Sequence, residues 1–250
     1  MRVRILLLLV CTGIHLLAAP HAFGQTALPS IQLGVGTSDA PEDVATTIQV
    51  ILALTILSLA PAILILTTCF TRLLIVFGFL RQALGTHQMP PNQVLIGLTL
   101  FLTLFIMRPV LTEIHDGALR PYLDGEITQG EGLAIAQEPI KQFMLRQTRE
   151  KDLGLFVRIG GAERPANAEE LNLSTIVPAF VVSELRIAFQ IGFLLYIPFL
   201  VIDMVVASVL MSMGMMMLPP VMISLPFKIL LFVLTDGWFL IVRSLVGSFS

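Results

Sequence analysis

Two long apolar runs, residues 192–213 and 221–246, meet at a ten-residue turn, MSMGMMMLPP, that carries no charge. At about 1.5 Å per residue, each run in helical form reaches across a hydrocarbon core of roughly 30 Å. Pro219 and Pro220 lack a backbone N–H and bias their predecessors away from the α region, so a single continuous helix is excluded. The expected element is a helical hairpin with Gly214 in its turn and Met215, Met216 and Met217 near its tip. Methionine is unbranched, soft and without a hydrogen-bond donor, so such a turn is either space filler or a seal that repacks around many shapes.

The rest of the chain follows the same chemistry. With 56% hydrophobic and 13% charged residues and a mean hydropathy of +0.89, it is far too apolar for an ordinary soluble domain and reads as an integral membrane protein. A net charge of −2 and no basic cluster argue against a nucleic-acid partner. Cys11 falls in a leader-like segment and Cys69 in an apolar run, which predicts no internal disulfide.

Residues 1–24 have the three parts of a secretory signal: Arg2 and Arg4, an apolar stretch, and the small-x-small site Ala22-Phe23-Gly24; an uncleaved anchor is the alternative. Residues 25–45, rich in Pro, Gly, Ser and Thr, read as a flexible tether. Residues 46–112 form a first hairpin, interrupted by Pro61, which is expected to kink or divide its leading helix. Its turn carries Gly85, Pro90 and Pro91, with Asn92 as a candidate cap for the next helix. Gly85 followed by Pro90-Pro91 parallels Gly214 followed by Pro219-Pro220, either an internal repeat or a coincidence of turn residues. Residues 113–175 hold most of the charge and read as a polar helical insert, its apolar positions spaced as a helix face. Residues 176–250 are the second hairpin. Counting positive residues puts Arg72 and Arg81 on the cytoplasmic side and predicts four spans, with the insert outside.

No metal-ligand spacing, nucleophile elbow, phosphate loop or cofactor motif is present, so neither an enzyme nor a cofactor is expected. What stands out is charge within apolar helices, which normally faces a partner or a wet cavity. In an antiparallel hairpin Asp203 and Lys228 lie at equal depth and can form a buried ion pair; the alternative is that each finds water or another chain. Glu184 and Arg186 open the third apolar run, and Asp236 sits within the fourth.

The segments PAFVVSELRIAFQIGF (178–193) and PFKILLFVLTDGW (226–238), with RQALGTHQMPPNQVLIGLTLFLTLFIM and FMLRQTREKDLGLF, closely resemble the FliP family of flagellar biosynthesis membrane proteins. The likeness covers the chain from about residue 46 onward, and injectisome relatives share much of it. The resemblance implies an all-α membrane protein of helical hairpins that assembles as a ring, expected to be pentameric. With FliQ-like and FliR-like proteins and other parts of the flagellar export apparatus, the ring forms a type III export gate for unfolded flagellar subunits. Carried over by that resemblance, Met215, Met216 and Met217 become a pore gasket, and the helices lie tilted, largely above the membrane plane on the periplasmic side of the inner membrane. Arg146, Arg149, Glu184 and Arg186 are candidate assembly contacts. A secondary transporter, an ion channel and a scaffold without a pore are the competing readings.

Overall fold

A computed structural model of the chain describes residues 41–86, 88–161, 167–215 and 218–249. The expected signal peptide and most of the expected tether lie outside the described residues, as do His87, Met216 and Met217. Leu54 onward forms one compact unit, and α1 (Pro41–Thr67) begins before it and ends within it.

From Ile48 onward α1 is apolar and almost wholly exposed, as suits a helix solvated by hydrocarbon. It runs on through Pro61 and breaks later, at Thr68 and Cys69. Hydroxyls rather than the proline account for the position of the break. Thr67 donates to the Ile63 carbonyl at 2.8 Å, Thr68 to Leu64 at 2.6 Å and Thr71 to Ile65 at 2.9 Å, satisfying acceptors that a helix end leaves open.

Helix α2 (Phe70–Leu84) is the centre of the fold. Cys69, Leu73, Val76, Phe77, Leu80, Ala83 and Leu84 repeat at helical spacing and are all buried. Its C-terminus is capped by Gly85 at φ 75°, where the N–H donates to Gln82 at 3.0 Å. The chain then returns as α3 (Asn92–Ile114), whose Leu95, Thr99, Thr103, Met107 and Val110 line one buried stripe. Asn92 is not the cap: Pro91 holds that position, and the Asn92 side chain accepts from Arg81. A π-helical turn (His115–Leu119) and the short α4 (Arg120–Leu123) lead to α5 (Gln129–Gln147) and α6 (Glu150–Ile159). Thr128 and Glu131 form a capping box at the start of α5. The insert is helical as expected, and it is not a detached domain, because Phe143, Met144 and Val157 sink into the common core and both helices pack on α7.

Helix α7 (Leu173–Ser212) runs parallel to α2: Arg72 meets Glu184, and farther along Phe79 stacks edge-on to Phe189 with ring centroids 5.3 Å apart. Gly192 gives the Phe79 ring its room, since a Cβ there would collide with it. Helices α8 (Pro220–Leu234) and α9 (Gly237–Gly247) come back antiparallel to α2, with Lys228 at Ala83, Trp238 beside Phe77 and Ser248 at Arg72. A bend of 65° separates α8 from α9. Asp236 sits exposed in that bend at φ 51° rather than inside an apolar helix, and Gly237 follows because a Cβ would meet the Phe232 ring at 2.3 Å. Three stretches, Ile48–Thr67, Asn92–Leu123 and Leu173–Ser212, are long and apolar enough to cross a membrane, and α8 with α9 makes a fourth if the bent pair counts as one span.

Candidate functional site

The methionine turn closes α7 in a defined way. Gly214, at φ 74°, donates to Met211 at 3.0 Å, and Met215 donates to Leu210 at 3.0 Å, the paired bonds of a Schellman motif that needs a left-handed residue between them. Pro220 then opens α8, where its missing N–H is harmless because a first-turn amide has no helical partner anyway. The first turn is built alike, from Gly85 in the left-handed region, through Pro90, to Pro91, with the same Gly-to-Pro-Pro spacing, although α3 starts one residue after the second proline where α8 starts at it. Met211, Met213 and Met215 are all exposed. Polar side chains that would bind a specific solute are missing from 213–220, so contacts made by this tip are dispersive and tolerant of shape.

The base of the hairpin is held by charge. Lys228, 2% exposed, places Nζ 2.6 Å from Asp203 Oδ2 and 3.1 Å from the Ala83 carbonyl oxygen, while Ser224 Oγ donates to Asp203 Oδ1. The expected pair is thus joined by a partner that spacing could not reveal, a carbonyl in the last turn of α2. That carbonyl lies at the negative end of the helix dipole, where an ammonium is favoured. Beyond this clamp the hairpin tip extends by about 13 Å.

A second polar cluster lies about 16 Å away at the other end of α2. Arg72, 1% exposed, makes a two-pronged ion pair with Glu184, which is fully buried: Nε donates to Oε2 at 2.9 Å and Nη2 to Oε1. Nη2 also reaches Gln147 Oε1 at 3.1 Å, and Nη1 donates to Ser248 Oγ at 3.1 Å and to the Ser248 carbonyl at 3.3 Å. All five N–H donors of the guanidinium are therefore used, and the Phe249 ring covers it with its centroid 3.9 Å from Cζ. Ser183 adds a bond from the Arg149 amide at 3.1 Å, which docks the α5–α6 break on α7.

Sequence reasoning missed this cluster because it counted Arg72 as a loop charge. Its position between buried Cys69 and Val76 on one helical face was the available signal. Being internal and paired, Arg72 contributes nothing to the charge asymmetry of exposed loops on which orientation rules depend. Of the candidate assembly residues, Glu184 is engaged within the chain, Arg146 and Arg186 are exposed, and Arg149 is half-buried. Arg149 Nη1 and Asp152 Oδ2 are buried without a hydrogen-bond partner. Among the described residues no group of three His, Cys, Asp or Glu is placed to hold a metal ion. Between α7 and α8 lies an apolar groove of about 500 Å³, lined by Val205, Val209, Ile223 and Phe227 among others.

Residues 53–245 match the FliP family along their whole length. The chain belongs to the FliP family. A protein of Bacillus subtilis named flagellar biosynthetic protein FliP is 59% identical over 217 residues, covering 87% of this chain and 98% of its own. Namesakes from Caulobacter vibrioides (51% over 229 residues; 92% of this chain and 84% of that one) and Aquifex aeolicus (50% over 239 residues; 95% and 98%) are similar in extent. The FliP match contains both charged clamps and the methionine turn, whereas Ser248 and Phe249, which complete the Arg72 cluster, follow its end.

Proposed function

We propose that this chain is a non-enzymatic component of the flagellar type III export gate in the bacterial inner membrane, within the flagellar basal body. Several copies, five in the expected ring, assemble with FliQ-like and FliR-like membrane proteins, and unfolded flagellar subunits pass through the centre. The methionine tips of the α7–α8 hairpins converge there, with Met215, Met216 and Met217 of each copy forming the gasket. Membership of the FliP family supports the export role, and the observation that carries the gate reading is an exposed, uncharged methionine tip cantilevered from a buried ionic clamp.

Physical reasoning links the parts. A passage for many unfolded sequences has to exclude water and ions without selecting one chemistry, and soft apolar side chains do both. The tip is free to yield because the groups that set its position lie at the hairpin base. Phe189, Phe193, Leu194, Val201, Met204 and Val205 leave α7 with a broad exposed apolar face, more than a monomer in water tolerates, so lipid or neighbouring subunits must cover it. A transporter or channel would present charged groups to a wet cavity at mid-depth. Here Arg72, Glu184 and Lys228 are turned inward and neutralised within the chain, which favours the gate.

The assembly part of the proposal is tested by purifying the chain in detergent together with FliQ-like and FliR-like partners. A closed ring of several copies is expected; a stable monomer that binds neither partner would exclude the gate, and a ring with no central opening would leave only a scaffold.

A further inference from the structure

Arg72 must lose its hydration to occupy the core, and Glu184 alone cannot replace that hydration. The carboxylate takes two of the five N–H donors, Gln147 takes one, and the remaining two, both on Nη1, point to Ser248. Gln147 is itself tied to the same segment, its Nε2 donating to the Phe249 carbonyl at 3.4 Å. Phe249 then lays its ring on the guanidinium and closes the face that the helices leave open. Ser248 stays in place because its hydroxyl also donates to the Leu245 carbonyl at 2.7 Å in the last turn of α9. Two residues after α9, just past the end of the FliP match at residue 245, thus supply two hydrogen bonds and a ring contact to one buried cation and a carbonyl anchor to its neighbour Gln147.

We propose that residues 248–249 are a latch: seated, they seal the Arg72–Glu184 pair and lock α2, α7 and the α5–α6 break together; unseated, they admit water to a buried charge and let the N-terminal end of α2 part from α7. A buried ion pair holds only while its remaining donors are satisfied, since a desolvated charge with open hydrogen-bonding groups is strongly unfavourable. Seating is therefore coupled to the closed packing of the helix ends, and the segment acts through the guanidinium and not as one more apolar cover.

Cys69 is a native reporter, fully buried and one helical turn before Arg72. The test uses the full chain in membranes with its partner proteins and with Cys11→Ser, so that Cys69 is the only thiol. The rate of modification of Cys69 by a membrane-permeant maleimide is measured with and without residues 248–250. Deletion should accelerate modification at least tenfold; in an Arg72→Leu/Glu184→Leu background, where nothing charged needs sealing, the same deletion should change the rate less than twofold. An unchanged rate, or equal acceleration in both backgrounds, would overturn the latch. If the shortened chain does not accumulate, Ser248→Ala/Phe249→Leu keeps the chain length and apolar cover, and about threefold acceleration is expected. A rate equal to wild type in that variant would be equally decisive against it.

Discussion

Removing one member of the Arg72–Glu184 pair should harm the protein more than removing both. With Arg72→Leu, the fully buried Glu184 loses both of its hydrogen-bond donors, and Gln147 and Ser248 lose theirs as well. Breaking a buried pair in this way is destabilising by about 3–5 kcal/mol. Glu184→Leu should fall toward the lower end of that range, because the guanidinium keeps Gln147, Ser248 and the Phe249 ring. In the double Leu variant no charge is left uncompensated and apolar contact is gained, so its loss should be within about 2 kcal/mol of wild type. The double-mutant cycle should therefore give a coupling energy of at least ~4 kcal/mol. Trp238, the single tryptophan of the chain, packs against Phe232 with centroids 5.5 Å apart and against Phe77 at 6.4 Å, and so reports on the α2–α9 contact. Unfolding by dodecyl sulfate in mixed micelles, followed by Trp238 fluorescence, measures the four variants. Additive single-variant effects would refute the pairing argument, and a double variant worse than either single would show that the charges themselves are needed.

The clamp at the hairpin base should behave alike: Asp203→Leu or Lys228→Leu alone should reduce assembled gate more than the double change, as read by gel filtration of the detergent-extracted complex. Gly192→Ala should separate α2 from α7, because the added Cβ meets the body of the Phe79 ring and not a flexible end; a loss above about 2 kcal/mol is expected in the same unfolding assay, and restoration by Phe79→Ala would confirm the cause. Hydrogen bonds from the Thr128 amide and then the Thr128 hydroxyl hold the Glu131 carboxyl below its ordinary value. That cap is fully present above the unfolded carboxylate pKa and is lost as pH falls through the lower folded one. The protection factor of the Thr128 amide should drop over that acidic interval in wild type and show no such step in Glu131→Gln.

Much of this architecture was legible in the residues. Apolar runs and proline turns give the hairpins, because a long, mostly apolar helix that meets a proline pair has few alternatives. Equal spacing from the turn brings Asp203 to Lys228. What spacing cannot give is the third dimension: that Lys228 also meets Ala83 and that Arg72 reaches Glu184 follows from α2 lying parallel to α7, a packing choice made by Gly192 and its neighbours rather than by any local pattern. Residues 48–84 are broken as expected, but Pro61 does not divide them, for a related reason. A membrane-capable helix can carry one proline when the surroundings do not force a break, and the break came at Thr68–Cys69, where the Thr67 and Thr68 hydroxyls could take over carbonyls. The tip methionines were visible at once as a turn, but the gasket proposed for them would be built by several copies.

The proposed gasket is tested most directly by membrane conductance. If Met215, Met216 and Met217 from several copies meet on a pore axis, changing all three to Ala should leave helices and assembly largely intact, since the tip stands beyond the Lys228 clamp, while smaller side chains open a gap to water and ions. Membranes holding the Ala gate should leak ions and small solutes above wild type, and Leu at the same positions should seal more tightly than Ala. An Ala variant that assembles normally and stays as tight as wild type would contradict the gate and reduce the methionines to space filler.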